Sequence, residues 1–204
     1  MKKGFTLVEM LVVIGIIAVL VGATISGYAK FSQTAEKTKC QELVSNTATA
    51  LTALFQKEGV WPVALRKAAQ GEGKLDATAG AALAGYLSLT TRRDAGRTVL
   101  DGVDRLGIVS PWAASVLKHR ERGANESTVV PSGGTIDDHI LRFALDYDGD
   151  GIIEGADIGG EQKDIRATAA VWCCGKDGKI EAYSTGLRSD DVYSWTKGQT
   201  VNVK

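Results

Sequence analysis

Met1-Lys-Lys-Gly-Phe-Thr-Leu-Val-Glu9 leads into Met10-Leu-Val-Val-Ile-Gly-Ile-Ile-Ala-Val-Leu-Val-Gly-Ala-Thr-Ile-Ser-Gly27, and this stretch decides how the rest of the chain is read. No charge falls between Met10 and Gly27. About 20 apolar residues span the hydrocarbon core of a bilayer, so the run predicts a transmembrane helix. Lys2 and Lys3 precede it, which keeps the N-terminus cytoplasmic and sends the remainder across the membrane. An ordinary secretory signal is the competing reading, with Gly22 to Gly27 as its small-residue cleavage region. Glu9 argues against it. A carboxylate costs about 2.5–3.5 kcal/mol near the membrane centre and less near an interface, so one at the mouth of the run implies a partner.

The segment Lys3-Gly4-Phe5-Thr6-Leu7-Val8-Glu9, with the apolar run behind it, closely resembles the N-terminal signal of type IV pilins and type II secretion pseudopilins. The resemblance implies that a prepilin peptidase cuts between Gly4 and Phe5, that the new terminus at Phe5 is methylated, and that the helix is retained. It also implies that Glu9 pairs with the Phe5 amine of a neighbouring subunit. Such a buried charge is tolerated when paired. Pilins often carry a proline partway along this helix; here Gly15, Gly22 and Gly27 are the flexible points instead.

At 204 residues the chain allows one domain beyond the anchor. Basic and acidic side chains balance at 24 each, with no basic block, so nucleic-acid binding is not expected. The three cysteines are Cys40, Cys173 and Cys174. Vicinal cysteines do not readily bridge each other, and Cys40 reaches one of them only if the fold brings them close. The expectation is therefore buried thiols and no structural disulfide. His119 and His139 lack ligand spacing, and no zinc, GxSxG, HExxH, Walker or dinucleotide signature is present, so no enzyme is expected.

Beyond the run, Leu43, Ala50, Leu51, Leu54 and Phe55 share one helical face, and Gly59 with Pro62 ends the pattern. One helix is predicted from about Thr6 to Glu58, apolar all round and then one-faced. A short helix follows within Trp61 to Gly71, and a second over Asp76 to Leu89 with Leu83, Tyr86 and Leu87 inward. Thr90 to Gly107 and Arg120 to Gly134 read as polar connections, with Ser110-Pro-Trp112 leading into a sheet. Strands are predicted over His139–Leu145, Thr168–Cys173 and Lys179–Tyr183, the last two joined as a hairpin at Lys176 to Gly178. The fold class is α+β: a long N-terminal helix, transmembrane then amphipathic, packed on a small antiparallel sheet, which is also the pilin-like fold that the resemblance implies. Its divisions are a leader at 1–4, an assembly helix at 5–27, an amphipathic continuation at 28–58 and a globular domain at 59–204.

Two acidic loops are candidates for calcium. Asp146, Asp148, Asp150, Glu154 and Asp157 occupy the first, third, fifth, ninth and twelfth places of an EF-hand loop, with Gly151 at the sixth and the Ile152 carbonyl at the seventh. A hard cation needs such a crowd of oxygens, and crowded carboxylates repel one another unless neutralised. Asp157 departs from the pattern's glutamate, and a solvated Asp/Gly turn is the alternative. The second loop rests on resemblance. Gly175-Lys-Asp177-Gly with Asp190-Asp191-Val-Tyr-Ser-Trp195 resembles the calcium-enclosing end of the major type II secretion pseudopilin, which makes Asp177, Asp190 and Asp191 ligands by transfer.

The resemblance thus implies a processed inner-membrane subunit with a single crossing and a periplasmic domain. It would assemble with other pilin-like subunits, on an inner-membrane platform, into the periplasmic pseudopilus of a type II secretion-like export system. Two alternatives share the leader: a type IV pilus subunit for adhesion, motility or DNA uptake, and a membrane-anchored calcium-dependent binding module.

Overall fold

The computed structural model describes residues 7–90, 107–113, 130, 133–183, 190–196 and 199–201; side chains at 23–30, 32–33, 84–90 and 201 lie outside the description. The chain divides into two compact units, Met1–Glu36 and Lys37–Lys204. Helix α1 runs Leu7–Glu58, as the periodicity predicts.

In the first unit every described large apolar side chain from Leu7 to Val21 is exposed, from Val13 at 45% to Leu7 at 81%. The apolar surface goes all round because the sequence has no polar face there.

In the second unit α1 buries Cys40, Val44, Thr47, Leu51 and Leu54, a spacing of three and four that makes one helical stripe. Leu43 and Phe55 are only partly buried at its edge. Gly59, at φ +70°, ends the helix by donating its N–H to the Phe55 carbonyl at 2.8 Å, a left-handed conformation that favours glycine. Phe55 and Trp61 then stack at 4.6 Å across the turn, and Trp61 Nε1 donates to the Asp146 carbonyl at 2.6 Å. Helix α2 (Val63–Gln70) follows Pro62, whose φ of −53° suits a helix entrance. Helix α3 (Ala77–Thr90) begins where the Asp76 carboxylate accepts the Ala79 N–H at 2.8 Å, an N-cap. Leu83 is buried on it; Tyr86 and Leu87, most of Thr90 to Gly107 and most of Arg120 to Gly134 lie outside the description.

The expected single sheet is two. Strands β1 (Arg142–Leu145), β4 (Ala169–Cys173) and β5 (Val192–Tyr193) form one antiparallel sheet in the order β1-β4-β5. Strands β2 (Ile153–Ile158), β3 (Glu161–Ile165) and β6 (Thr200–Val201) form the other, in sequence order. All five residues of β4 are buried, because it packs on both faces. Ala169, Val171 and Cys173 join the core made with α1; Ala170 and Trp172 join the second sheet and Trp195.

Three expectations need correction. His139–Leu145 contributes only Arg142–Leu145 as strand, since the Ile140 backbone is taken by an isolated bridge to Val109. Lys179–Tyr183 is not a strand, and the hairpin at Lys176 to Gly178 does not form. Its backbone donors serve side chains instead: Lys179 N–H donates to Asp177 at 2.9 Å and Glu181 N–H to Asp191 at 3.0 Å. Beside β1, the other partner of β4 is β5, with Trp172 opposite Tyr193. Finally, Cys40 on α1 and Cys173 on β4 are paired as a disulfide, both fully buried, so the expectation of no disulfide fails. The helical stripe and the inner face of β4 bring together residues 133 positions apart in sequence.

Candidate functional site

Residues 1–6, with the Gly4–Phe5 processing position, lie outside the description; Glu9 lies in the first turn of α1. Among the described residues no helix is long and apolar enough to cross a membrane, and the side chains of the apolar run are described only to Gly22.

The first acidic loop joins β1 to β2. Asp146 is 2% exposed, and its carboxylate accepts the N–H groups of Gly149 and Gly151, each at 2.8 Å. Both glycines stand at positive φ, +81° and +86°, so the chain folds tightly around that carboxylate. Asp150 accepts the Ile152 N–H at 2.7 Å. Each of Asp146, Asp148 and Asp150 offers an oxygen within 4.8 Å of the others. The remaining expected ligands sit elsewhere: Glu154 and Asp157 are on β2, and Asp157 accepts the Gly160 N–H at 2.8 Å in the β2–β3 turn. The sequence pattern therefore yields a compact trio of carboxylates at its start, with its end drawn into a strand.

The second set is not drawn together as one group of ligand atoms among the described residues. Asp177 closes its own turn, and Asp190 accepts the Lys176 N–H. A Cβ at Gly175 would collide with the Asp190 carboxylate, so any other residue there would displace that side chain. Asp191, 7% exposed, accepts from Gly175 N–H at 3.0 Å, Glu181 N–H at 3.0 Å and Tyr193 O–H at 3.2 Å. Burial, then the Asp191 charge, pushes the Tyr193 hydroxyl's pKa up, so it stays a donor.

A buried polar cluster has no counterpart in the sequence reading. His139 is fully buried, with Nε2 2.8 Å from the Gly133 carbonyl and Nδ1 2.9 Å from Ser110 Oγ. A carbonyl only accepts, so Nε2 carries a proton, and in the neutral imidazole Nδ1 is the acceptor of the Ser110 hydroxyl. Cys174, the free cysteine, donates to the Asp138 carbonyl at 3.0 Å. Burial, followed by the nearby Asp191, Asp138 and Asp177 charges, pushes its thiol up to about 12, so it is inert as a nucleophile. Bonds between such distant residues leave no local sequence signal.

An apolar helix with a carboxylate in its first turn, continued by a one-faced stretch on an antiparallel sheet, defines the class: the chain belongs to the type IV pilin-like family. Residues 1–25 match the family described as the prokaryotic N-terminal methylation motif. The chain is 39% identical over 77 residues to competence protein ComGC of Bacillus subtilis (strain 168), covering 37% of this chain and 79% of that protein. It is 29% identical over 62 residues to type IV major pilin protein PilE of Neisseria gonorrhoeae, covering 30% of this chain and 37% of that one. The chain thus spans well under two thirds of PilE. No solved structure matches.

Proposed function

We propose that the chain is a structural filament subunit and not an enzyme: it is cleaved between Gly4 and Phe5, methylated at Phe5, held in the inner membrane by the apolar run, and assembled from there. The observation that carries this is the uncovered apolar surface of α1 from Leu7 to Val21. Covering twelve such side chains is worth on the order of 20 kcal/mol. Lipid supplies that cover before assembly, and neighbouring helices supply it afterwards. In the proposal Glu9 meets the Phe5 amine of an adjacent subunit and sets the axial register, as a paired polar group does in helical assemblies. Glu9→Ala is expected to leave cleavage and membrane insertion intact and to abolish filaments, read by immunoblot and by electron microscopy of sheared fractions. Normal filaments from this variant would sink the register role.

Within that reading, the two ends of the sequence support the periplasmic pseudopilus of a type II secretion-like system. The similarity to competence protein ComGC and to the type IV major pilin PilE favours a second reading, a type IV pilus subunit. Deleting the gene separates them: loss of exported folded proteins supports the first, and loss of transformation or of surface fibres supports the second.

The carboxylate trio fits a hard cation by its donor set, three oxygens on one tight loop. Calcium is expected to raise the melting temperature, because a ligand bound only by the folded state stabilises it. Asp148→Asn with Asp150→Asn should remove that rise. An unchanged melt with calcium and with chelator would reduce the loop to a surface turn.

A further inference from the structure

Among the described residues, three aspartates stand directly before glycine: Asp148, Asp150 and Asp177. Such pairs are chemically labile, because glycine offers its amide nitrogen to the preceding side chain with no Cβ in the way. All three aspartates are exposed, and they share one kind of turn. Each carboxylate accepts the N–H two residues on, at 3.4 Å for Asp148, 2.7 Å for Asp150 and 2.9 Å for Asp177. The glycines that follow stand at φ +81°, +86° and +76°. In every case the turn brings the carboxyl carbon beside the intervening glycine nitrogen.

The three differ in what holds that nitrogen. Gly149 N–H and Gly151 N–H both donate to the buried Asp146 carboxylate, each at 2.8 Å. Among the described residues no carboxylate takes the Gly178 N–H. A nitrogen gives up its proton when it attacks a carboxyl carbon, and an anion already accepting that proton opposes the negative charge that develops. Asp146 therefore restrains two of the pairs and leaves the third unrestrained by any described carboxylate.

We propose that Asp177 is a site of spontaneous modification, isomerising to isoaspartate in the folded chain, and that Asp146 protects Asp148 and Asp150 from the same change. The Gly178 nitrogen bonds to the Asp177 side-chain carboxyl carbon, and its proton leaves with the carboxyl O–H group as water. Water then opens the succinimide by breaking the bond between the Gly178 nitrogen and the Asp177 main-chain carbonyl. The composition is unchanged, but the backbone now runs through the side chain and is one methylene longer. Gly133 packs against the Asp177 backbone and Gly134 against Gly178, so the longer turn displaces them, and the Gly133 carbonyl is the acceptor of His139 Nε2.

The test holds the full chain for weeks at neutral pH and physiological temperature, in detergent with chelator, folded in one arm and in urea in the other. Isoaspartate is read by methylation with protein isoaspartate methyltransferase and located by electron-transfer fragmentation of peptides. In the folded arm it is expected at Asp177 about tenfold or more faster than at Asp148 or Asp150, one hydrogen bond to a charged group being worth that factor. In urea the three rates should converge. Asp146→Ala should raise the folded rates at Asp148 and Asp150 to that of Asp177; should this variant fail to fold, the two arms of the unaltered chain decide. Absence of isoaspartate at Asp177 in the folded arm, an equal or faster rate at Asp148 or Asp150, or a folded ratio that persists in urea would each overturn the proposal.

Discussion

Asp191 anchors the C-terminal loop, and removing its carboxylate should be costly. Among the described residues, Gly175 N–H, Glu181 N–H and Tyr193 O–H converge on it, at 3.0, 3.0 and 3.2 Å. Hydrogen bonds to a charged group contribute about 1.5–3 kcal/mol each, so roughly 5–9 kcal/mol is lost in gross terms. Relief from burying the carboxylate returns several kcal/mol of that. Asp191→Ala is expected to destabilise the second unit by about 3 kcal/mol, with two backbone donors left orphaned. Asp191→Asn keeps one acceptor oxygen but turns an N–H toward donors, for a loss of about 1.5 kcal/mol. Tyr193→Phe should cost about 1 kcal/mol alone and almost nothing beside Asp191→Ala, because their contact is shared. Urea unfolding followed by tryptophan fluorescence suits the measurement, since Tyr193 lies 5.0 Å from Trp195, which lies 5.7 Å from Trp172. A loss below about 0.5 kcal/mol for Asp191→Ala would refute the reasoning, as this is the range of ordinary surface substitutions. Equal costs of Tyr193→Phe in both backgrounds would refute it too. If chelator alone reproduced the loss, Asp191 would be acting as a metal ligand rather than as a backbone acceptor.

Two further outcomes follow from the same structure. The Cys40–Cys173 bond closes a loop of 133 residues, and in the chain-entropy picture its reduction lowers stability by about 5 kcal/mol. Urea midpoints with and without reductant read this; maleimide should label one thiol, Cys174, in the denatured oxidised chain and all three cysteines after reduction. For pH, the Thr135 hydroxyl and then its backbone N–H hold the Asp138 carboxyl below its ordinary pKa. That contribution is fully present above the unfolded pKa and is lost as pH falls through the lower folded value. Thr135→Val should move the acid-unfolding midpoint to higher pH, and an unmoved midpoint would show that the hydroxyl contributes nothing.

The helical half of the fold was legible because its signals are local. The spacing of Leu51 and Leu54 fixed the buried face, Gly59 fixed the end, and the leader gave the family. The buried stripe extends further toward the N-terminus than those positions, through Cys40, Val44 and Thr47. The sheets were less legible. Glu161-Gln-Lys-Asp-Ile165 is nearly all polar, yet it is the central strand of the second sheet, paired with β2 and β6. Lys179–Tyr183 reads as a strand, but the Asp177 carboxylate just before it takes the Lys179 N–H and the Asp191 carboxylate takes the Glu181 N–H. Of the candidate ligands, Asp146, Asp148 and Asp150 come together because they sit on one tight loop. Asp191 enters the sequence reading as a calcium ligand, whereas the structure shows it accepting the Gly175 and Glu181 N–H groups; a list of acidic residues does not distinguish the two roles.

The link between Cys40 and Cys173 also sets a route for mechanical load. A pull along the first part of α1 reaches Cys40 before it reaches the remainder of the helix, and there it meets a covalent branch to β4. Tension between the N-terminus and the chain beyond Cys173 runs through that branch, so the 133-residue loop is bypassed and its noncovalent contacts carry little of the force. Extension of the oxidised chain is then limited to the segments outside the loop, while the reduced chain can pay out the loop's full contour.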